Sequence, residues 1–161
     1  MSVGQRVTSD HQLARLLQIG VVLEEVVEAR STQHHREMDN DVDAELGALL
    51  RHAAEESADH RDRLEDLIGE LDAESVSYEE IEALVEAQYG NTKPEDFDGV
   101  LYDQLCNEET AYKFYDDLIE AIEGSDSTFS VDRDRVLDTL RGIRAEEEEG
   151  VEEVTAIMER R

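Results

Sequence analysis

The sequence predicts an all-α protein: a four-helix bundle made of two antiparallel hairpins joined by one long crossover. Three observations predict it. Apolar residues recur at i, i+3, i+4, i+7 through four long stretches. No stretch shows the period-two alternation of a half-buried strand. Capping and turn residues fall where the helical period stops.

The first helix is expected over about residues 9–35. Ser9 and Gln12 have capping-box spacing, and Leu13, Leu16, Leu17, Gly20, Leu23, Val27 and Ser31 form its inner stripe. Asp39, Asn40 and Asp41 make a turn and a cap. The second helix is expected over about 42–71, with Leu46, Leu49, Leu50, Ala53, Ser57, His60, Leu64, Leu67, Ile68 and Leu71 on its stripe. A section of different character follows. Ser77 and Glu80 cap a short crossover helix at about 78–89 carrying Ile81, Leu84 and Val85, with Gly90 placed to end it.

Thr92, Pro94 and Glu95 open a third long helix over about 93–123. Its stripe is Phe97, Leu101, Gln104, Glu108, Ala111, Tyr115, Leu118, Ile119 and Ile122, and Gly124 closes it. The last helix, about 131–160, carries Val136, Leu140, Ile143, Glu147, Gly150, Val151, Val154, Ile157 and Met158. The turns after the first and third long helices are short, as antiparallel hairpins require, and the section between the hairpins is long enough to return along a bundle.

The length, 161 residues, suits a single domain spanning 1–161. The chain has 43 Asp and Glu against 15 Lys and Arg, for a formal charge of −28. That excludes a nucleic-acid binder, which needs basic clusters against phosphate, and disfavours anionic membranes. High charge is also a mark of disorder, but disordered chains rarely keep a hydrophobic period. Lys93 and Lys113 are the only lysines against thirteen arginines. This acidic, lysine-poor surface resembles proteins of salt-loving organisms, in which molar salt screens self-repulsion over roughly 3 Å. The competing reading is an acidic protein with a basic partner. Cys106 is the one cysteine, so no disulfide forms within the chain; it falls off the inner face. The opening residues hold no apolar run of signal-peptide type, and the longest apolar run, Ile19 to Leu23, is too short to cross a bilayer. A cytoplasmic location is expected.

The informative residues are polar ones on apolar stripes. At about 100° per residue, Glu24 lies between Gly20, Val27 and Ser31, and Ser57 and His60 lie near the middle of their face. Glu108 is flanked by Gln104 and Ala111, and Glu147 sits between Ile143 and Val151. Glu24 and His60 are at similar distances from the turn near Asn40, as Glu108 and Glu147 are from the turn near Ser127. Folding the hairpins together brings all four to one level of the core. Three carboxylates converging in a low-dielectric interior need protons, basic partners or a metal cation. No Lys or Arg lies at the centre of a stripe; Arg61 and Arg144, on the flanks, are the alternative counterions. Carboxylate oxygens with an imidazole nitrogen suit Fe, Mn or Zn.

These residues resemble the ferritin-like superfamily, particularly its rubrerythrin-like di-iron carboxylate branch without rubredoxin, from about Leu13 to Ile157. In that family the first and third bundle helices each give a Glu, often with an aromatic residue two turns on. Glu108-x-x-Ala111-x-x-x-Tyr115 matches this, and Glu24-x-x-Val27-x-x-x-Ser31 matches it with Ser in the aromatic position. The second and fourth helices each give Glu-x-x-His. Here Ser57-x-x-His60 keeps the His and Glu147-x-x-Gly150 keeps the Glu. The resemblance implies a dinuclear iron or manganese site that reacts with oxygen or peroxide, held by Glu24, His60, Glu108 and Glu147, with Tyr115 as support and usually within a homo-oligomer. A single metal held by His60 and two or three carboxylates is equally compatible. Glu56 or Gln104 can supply a substitute oxygen, and Gly150 leaves an open position for water or substrate.

A bland reading stands beside each residue. His60 alone is a bonded core histidine, Glu24 turns outward beside Glu25, Glu147 belongs to the solvated run Glu146 to Glu149, and Tyr115 is core packing. His34 and His35, at the end of the first helix, are solvated or bind metal adventitiously. Two functions follow: a metalloprotein with oxidase, peroxidase or iron-handling activity, or a metal-free bundle serving as an interaction or regulatory subunit.

Overall fold

The computed structural model describes residues 7–37, 44–73, 79–80, 83 and 100–160. Four long helices fill the described residues: α1 (Asp10–Glu37), α2 (Ala44–Glu70), α3 (Val100–Glu123) and α4 (Arg133–Glu159). α1 packs along α2 and α3 along α4, and the two hairpins meet with α1 against α3 and α2 against α4. Each of these pairs runs antiparallel. Asp10 meets Asp72 while Glu28 meets Arg61, and Glu24 meets Tyr115 while Ser31 meets Gln104. Likewise Glu123 meets Arg141 while Asp116 meets Arg144, and Glu70 meets Arg135 while Glu45 meets Arg160. α2 therefore ends at the opposite end of the bundle from the start of α3. The expected crossover helix at 78–89 lies outside the described residues, apart from helical Glu79, Glu80 and Ala83. Residues 93–99 lie outside them too.

The helix ends follow from local hydrogen bonding. Gln12 N–H donates to Ser9 Oγ (3.1 Å), as the capping box predicts. The Gln12 side chain, however, reaches Thr8 rather than Ser9, accepting from Thr8 N–H and Oγ–H at 2.7 Å each. α4 starts later than residue 131 because the Asp132 carboxylate caps it, accepting from Asp134 N–H at 3.3 Å. α2 stops at Glu70 rather than 71, and Leu71 closes the turn by donating to Ile68 O. Asp10 then ties three segments together at this end, accepting from Asp72 N–H at 3.2 Å and Ser130 N–H at 3.0 Å.

The core is divided. A large apolar cluster surrounds Leu13, Leu17, Leu64, Phe114, Leu118 and Leu140 near the Asp10 end. Burying one such leucine contributes about 1.5–3 kcal/mol. A small cluster of Leu49, Val154 and Ile157 lies near the other end. Between them the stripes turn polar: Glu24, Ser31, Ser57, His60, Gln104, Glu108 and Glu147 are all buried. At the lower edge of that layer α1 comes in close. A Cβ on Gly20 would stand 3.0 Å from Leu64 Cδ1 and 3.2 Å from Phe114 Cε2, so any larger residue here needs those side chains to give by a few tenths of an ångström. Among the described residues no helix is long and apolar enough to cross a membrane.

Candidate metal centre

Each of the four helices delivers one ionisable residue to the middle of the polar layer: Glu24, His60, Glu108 and Glu147. Glu24 and His60 are fully buried, Glu147 is 4% exposed and Glu108 5%. None turns outward: the local pull of Glu25 and of the run Glu146 to Glu149 is overruled by the packing of the whole helix face.

His60 is the hub. Its Nδ1 lies 3.0 Å from Glu147 Oε1 and 3.3 Å from Glu24 Oε1. Its Nε2 lies 3.2 Å from Glu146 Oε2, to which Nε2–H donates. Glu146 is itself held by two hydrogen bonds from Arg63, at 2.8 and 3.1 Å, and Arg63 also pairs with Asp59. Tyr115 O–H donates to Glu24 Oε1 at 2.6 Å. Gln104 Nε2–H donates to Glu108 Oε1 at 2.9 Å, and Ser31 donates to Gln104 Oε1 at 3.1 Å. The Glu108 and Glu147 carboxyl oxygens lie within 4.8 Å of each other in a buried layer, which favours a proton on one of the two.

Burial governs the protonation of this layer. It holds the Glu147 carboxyl well above the usual carboxylate range, and the charges of Glu24 and Glu108 add to the effect. It raises Glu108 as well, against hydrogen bonds from Glu147 and Gln104 that favour the anion. Glu56, at the margin, is pushed up to about 7 by desolvation, His60 opposing and Glu108 adding. For His60, burial alone would lower the imidazolium; the hydrogen bond to Glu24 and the charges of Glu24, Glu56 and Glu146 outweigh it, and the group sits above its ordinary value. Tyr115 is raised well above the usual phenol value by burial beside Glu24 and Glu147, so it stays a donor.

Among the described residues two groups each offer ligand atoms that lie within 4.8 Å of one another: Glu24, His60 and Glu147, and Glu56, Glu108 and Glu147. Glu147 belongs to both. Glu24 Oε2 is buried without a hydrogen-bond partner. A carboxylate oxygen left bare in a dry layer is costly, about 1–3 kcal/mol or more for a charged group, and it is where a cation would be held. The donor set, carboxylate oxygens with one imidazole nitrogen, fits Fe, Mn or Zn.

Several residues behave differently from the sequence expectation. Arg61 and Arg144 do not neutralise the layer: Arg61 pairs with Glu28 at 2.5 Å and Arg144 with Asp116 at 2.8 Å. The space beside Gly150 is not simply open, because the Glu108 carboxylate occupies it. His34 is neither merely solvated nor a stray ligand: its Nε2 lies 2.7 Å from Asp103 Oδ2, and Arg30 donates to Asp103 Oδ1 at 3.1 Å. Asp103, fully buried, and the Arg63–Glu146 support of His60 went unread. Both lie on helix flanks, where periodicity does not tell paired from solvated charges. Cys106 is a half-buried free thiol, raised by burial and by Asp103 and Glu109. Comparison of the chain with protein-family models, with curated proteins and with solved structures found no match.

Proposed function

We propose that this all-α bundle is a ferritin-like metalloprotein that holds iron or manganese between its four helices. Glu24, His60, Glu108 and Glu147 are the ligands, and Glu56 is an auxiliary one. The observation that carries the reading is the Glu24, His60, Glu147 triad within 4.8 Å, with Glu24 Oε2 buried and unpartnered. His60 Nδ1 is the nitrogen offered, since Nε2–H is committed to Glu146. That support fixes the tautomer and the ring, as outer carboxylates do for metal-bound histidines. Gln104 and Tyr115 orient Glu108 and Glu24. The metal supplies redox chemistry with oxygen or peroxide, or is itself the cargo in iron handling. The protein's part is a rigid, oxygen-rich, partly dry cage.

Elemental analysis of full-length protein purified in high salt without a His tag tests this. Fe or Mn in stoichiometric amount is expected, and a Glu108→Ala, Glu147→Ala double variant should lose it. Wild-type protein that arrives metal-free and refuses both Fe(II) and Mn(II) would rule the reading out.

A second reading has its own support. The contacts of His60 with Glu24, Glu147 and Glu146, the Tyr115–Glu24 bond and a proton on Glu108 or Glu147 satisfy most of the layer without any ion. On that reading the chain is a metal-free interaction or regulatory bundle, and replacing the costly polar group by Glu108→Leu or His60→Leu leaves stability equal or higher.

A further inference from the structure

We propose that the groove between α2 and α4 is the route by which a divalent cation reaches and leaves the buried ligands. This inference rests on the metal-holding reading above. The groove has a volume of about 40 Å³, more than the roughly 10–15 Å³ that one water requires. Its rim carries His52, Glu56, Glu149 and Glu153, and its floor includes Gly150 and the buried Glu108.

The carboxylates form a graded series. Glu149 and Glu153 are exposed, Glu56 is 17% exposed at its side chain, and Glu108 and Glu147 are buried. Glu56, Glu108 and Glu147 lie within reach of one ion, and Glu147 also belongs to the inner triad with His60 and Glu24. A cation moving inward thus finds oxygen to replace each water it sheds, which removes the main penalty for entering a low-dielectric core. An acidic cleft with low-dielectric walls also focuses field and raises the encounter rate of cations.

The opposite seam, between α1 and α3, is covered differently among the described residues. There Tyr115 covers Glu24, and Arg30 sits against Asp103 two turns away. Gly150 matters on the groove side because any side chain there would push Glu108 out of the floor.

The test is uptake of Co(II) by the metal-free full chain, followed by stopped-flow absorbance at low salt and at 1 M KCl. A Glu149→Gln, Glu153→Gln double variant keeps the shape of the rim and removes two of its charges. Its uptake at low salt should be about tenfold slower than wild type, with a flatter dependence on salt. A Glu65→Gln, Glu120→Gln control removes the same charge at exposed positions elsewhere and should match wild type. If wild type takes up Co(II) and the rim variant does so at the same rate, the route is wrong and the metal reading stands. If wild type takes up none, both fall.

Discussion

The carboxylate of Glu108 lies over Gly150, in the space that a side chain there would fill: a Cβ on Gly150 would stand 2.5 Å from Glu108 Oε2 and 2.7 Å from its Cδ. The space beside Gly150 is therefore used by a carboxylate from the neighbouring helix. Gly150→Ala separates two effects. Alanine is favoured over glycine in a helix by up to about 1 kcal/mol, and the atom it displaces is the far end of a flexible side chain. The metal-free variant should melt at or above the wild-type temperature. Its affinity for Mn(II), measured by calorimetry, should fall at least tenfold because Glu108 is moved. Unchanged affinity would remove Glu108 from the ligand set.

Glu146→Ala should act on metal without acting much on the fold. Glu146 is one-third exposed at its side chain, yet it accepts from His60 Nε2 and carries the bond to Arg63. Without it the imidazole loses the partner that fixes its tautomer. Loss of such outer partners typically costs 10–100-fold in metal affinity. Metal titration and a urea melt on the same preparation check this. A large stability loss with unchanged affinity would make Glu146 a structural residue only.

Much of this was legible in the sequence, for a definite reason. That Glu24, His60, Glu108 and Glu147 face inward follows from helical period alone, since each falls on a stripe that is mainly apolar above and below it, Leu64 following His60 and Ile143 and Val151 flanking Glu147. Their common height follows from counting residues back to two turns. The Arg63–Glu146–His60 chain was not legible, because flank residues pair according to how neighbouring helices are rotated, which period does not encode. Nor was the burial of Asp103, whose partners Arg30 and His34 come from another helix. The alternative roles of Arg61 and Arg144 failed for the same reason: from a flank, each finds a nearer acid.

The metal-free protein should be more stable in mild acid than at neutral pH. Glu108, Glu147 and Glu56 all hold protons more tightly folded than unfolded, Glu56 up to about 7. For a carboxyl raised on folding, this stabilisation is complete below the unfolded value near 4.5 and fades as pH rises through the folded value. His60, raised on folding, works in the same direction: its contribution is complete below the unfolded value and is lost as pH climbs through the folded one. Melting at constant 1 M KCl should therefore give a higher midpoint at pH 5.5 than at pH 8. Added Mn(II) should reverse the order, since ligands must shed protons to bind. A metal-free midpoint that rises from pH 5.5 to 8 would contradict the protonation described here.

Tyr115→Phe tests the inner wall of the site. The phenol donates to Glu24 Oε1 at 2.6 Å, and the other oxygen of Glu24 has no partner. Removing the donor takes away the shortest hydrogen bond to a fully buried carboxylate and leaves His60 Nδ1 at 3.3 Å. The expected loss is about 1–3 kcal/mol in the metal-free state, read by urea denaturation. Bound metal should recover part of it, because the cation then satisfies Glu24. No loss of stability would show that Glu24 does not depend on this donor.

Salt should stabilise the fold even though it weakens the surface ion pairs. Pairs such as Arg135–Glu70, Arg141–Glu123 and Arg160–Glu45 are half-exposed, so water and salt leave each of them little net attraction. Against them stand 28 unbalanced negative charges on 161 residues. At 0.1 M salt the screening length is about 10 Å, so neighbouring helices repel through their acidic faces; at 1 M it is about 3 Å and most of that repulsion is gone. The melting midpoint of the metal-free protein should climb steadily from 0.1 to 1 M KCl at pH 7.5. The same series at pH 4.5, where many surface carboxylates are protonated, should be much flatter. A midpoint that falls with KCl at pH 7.5 would show that the ion pairs dominate.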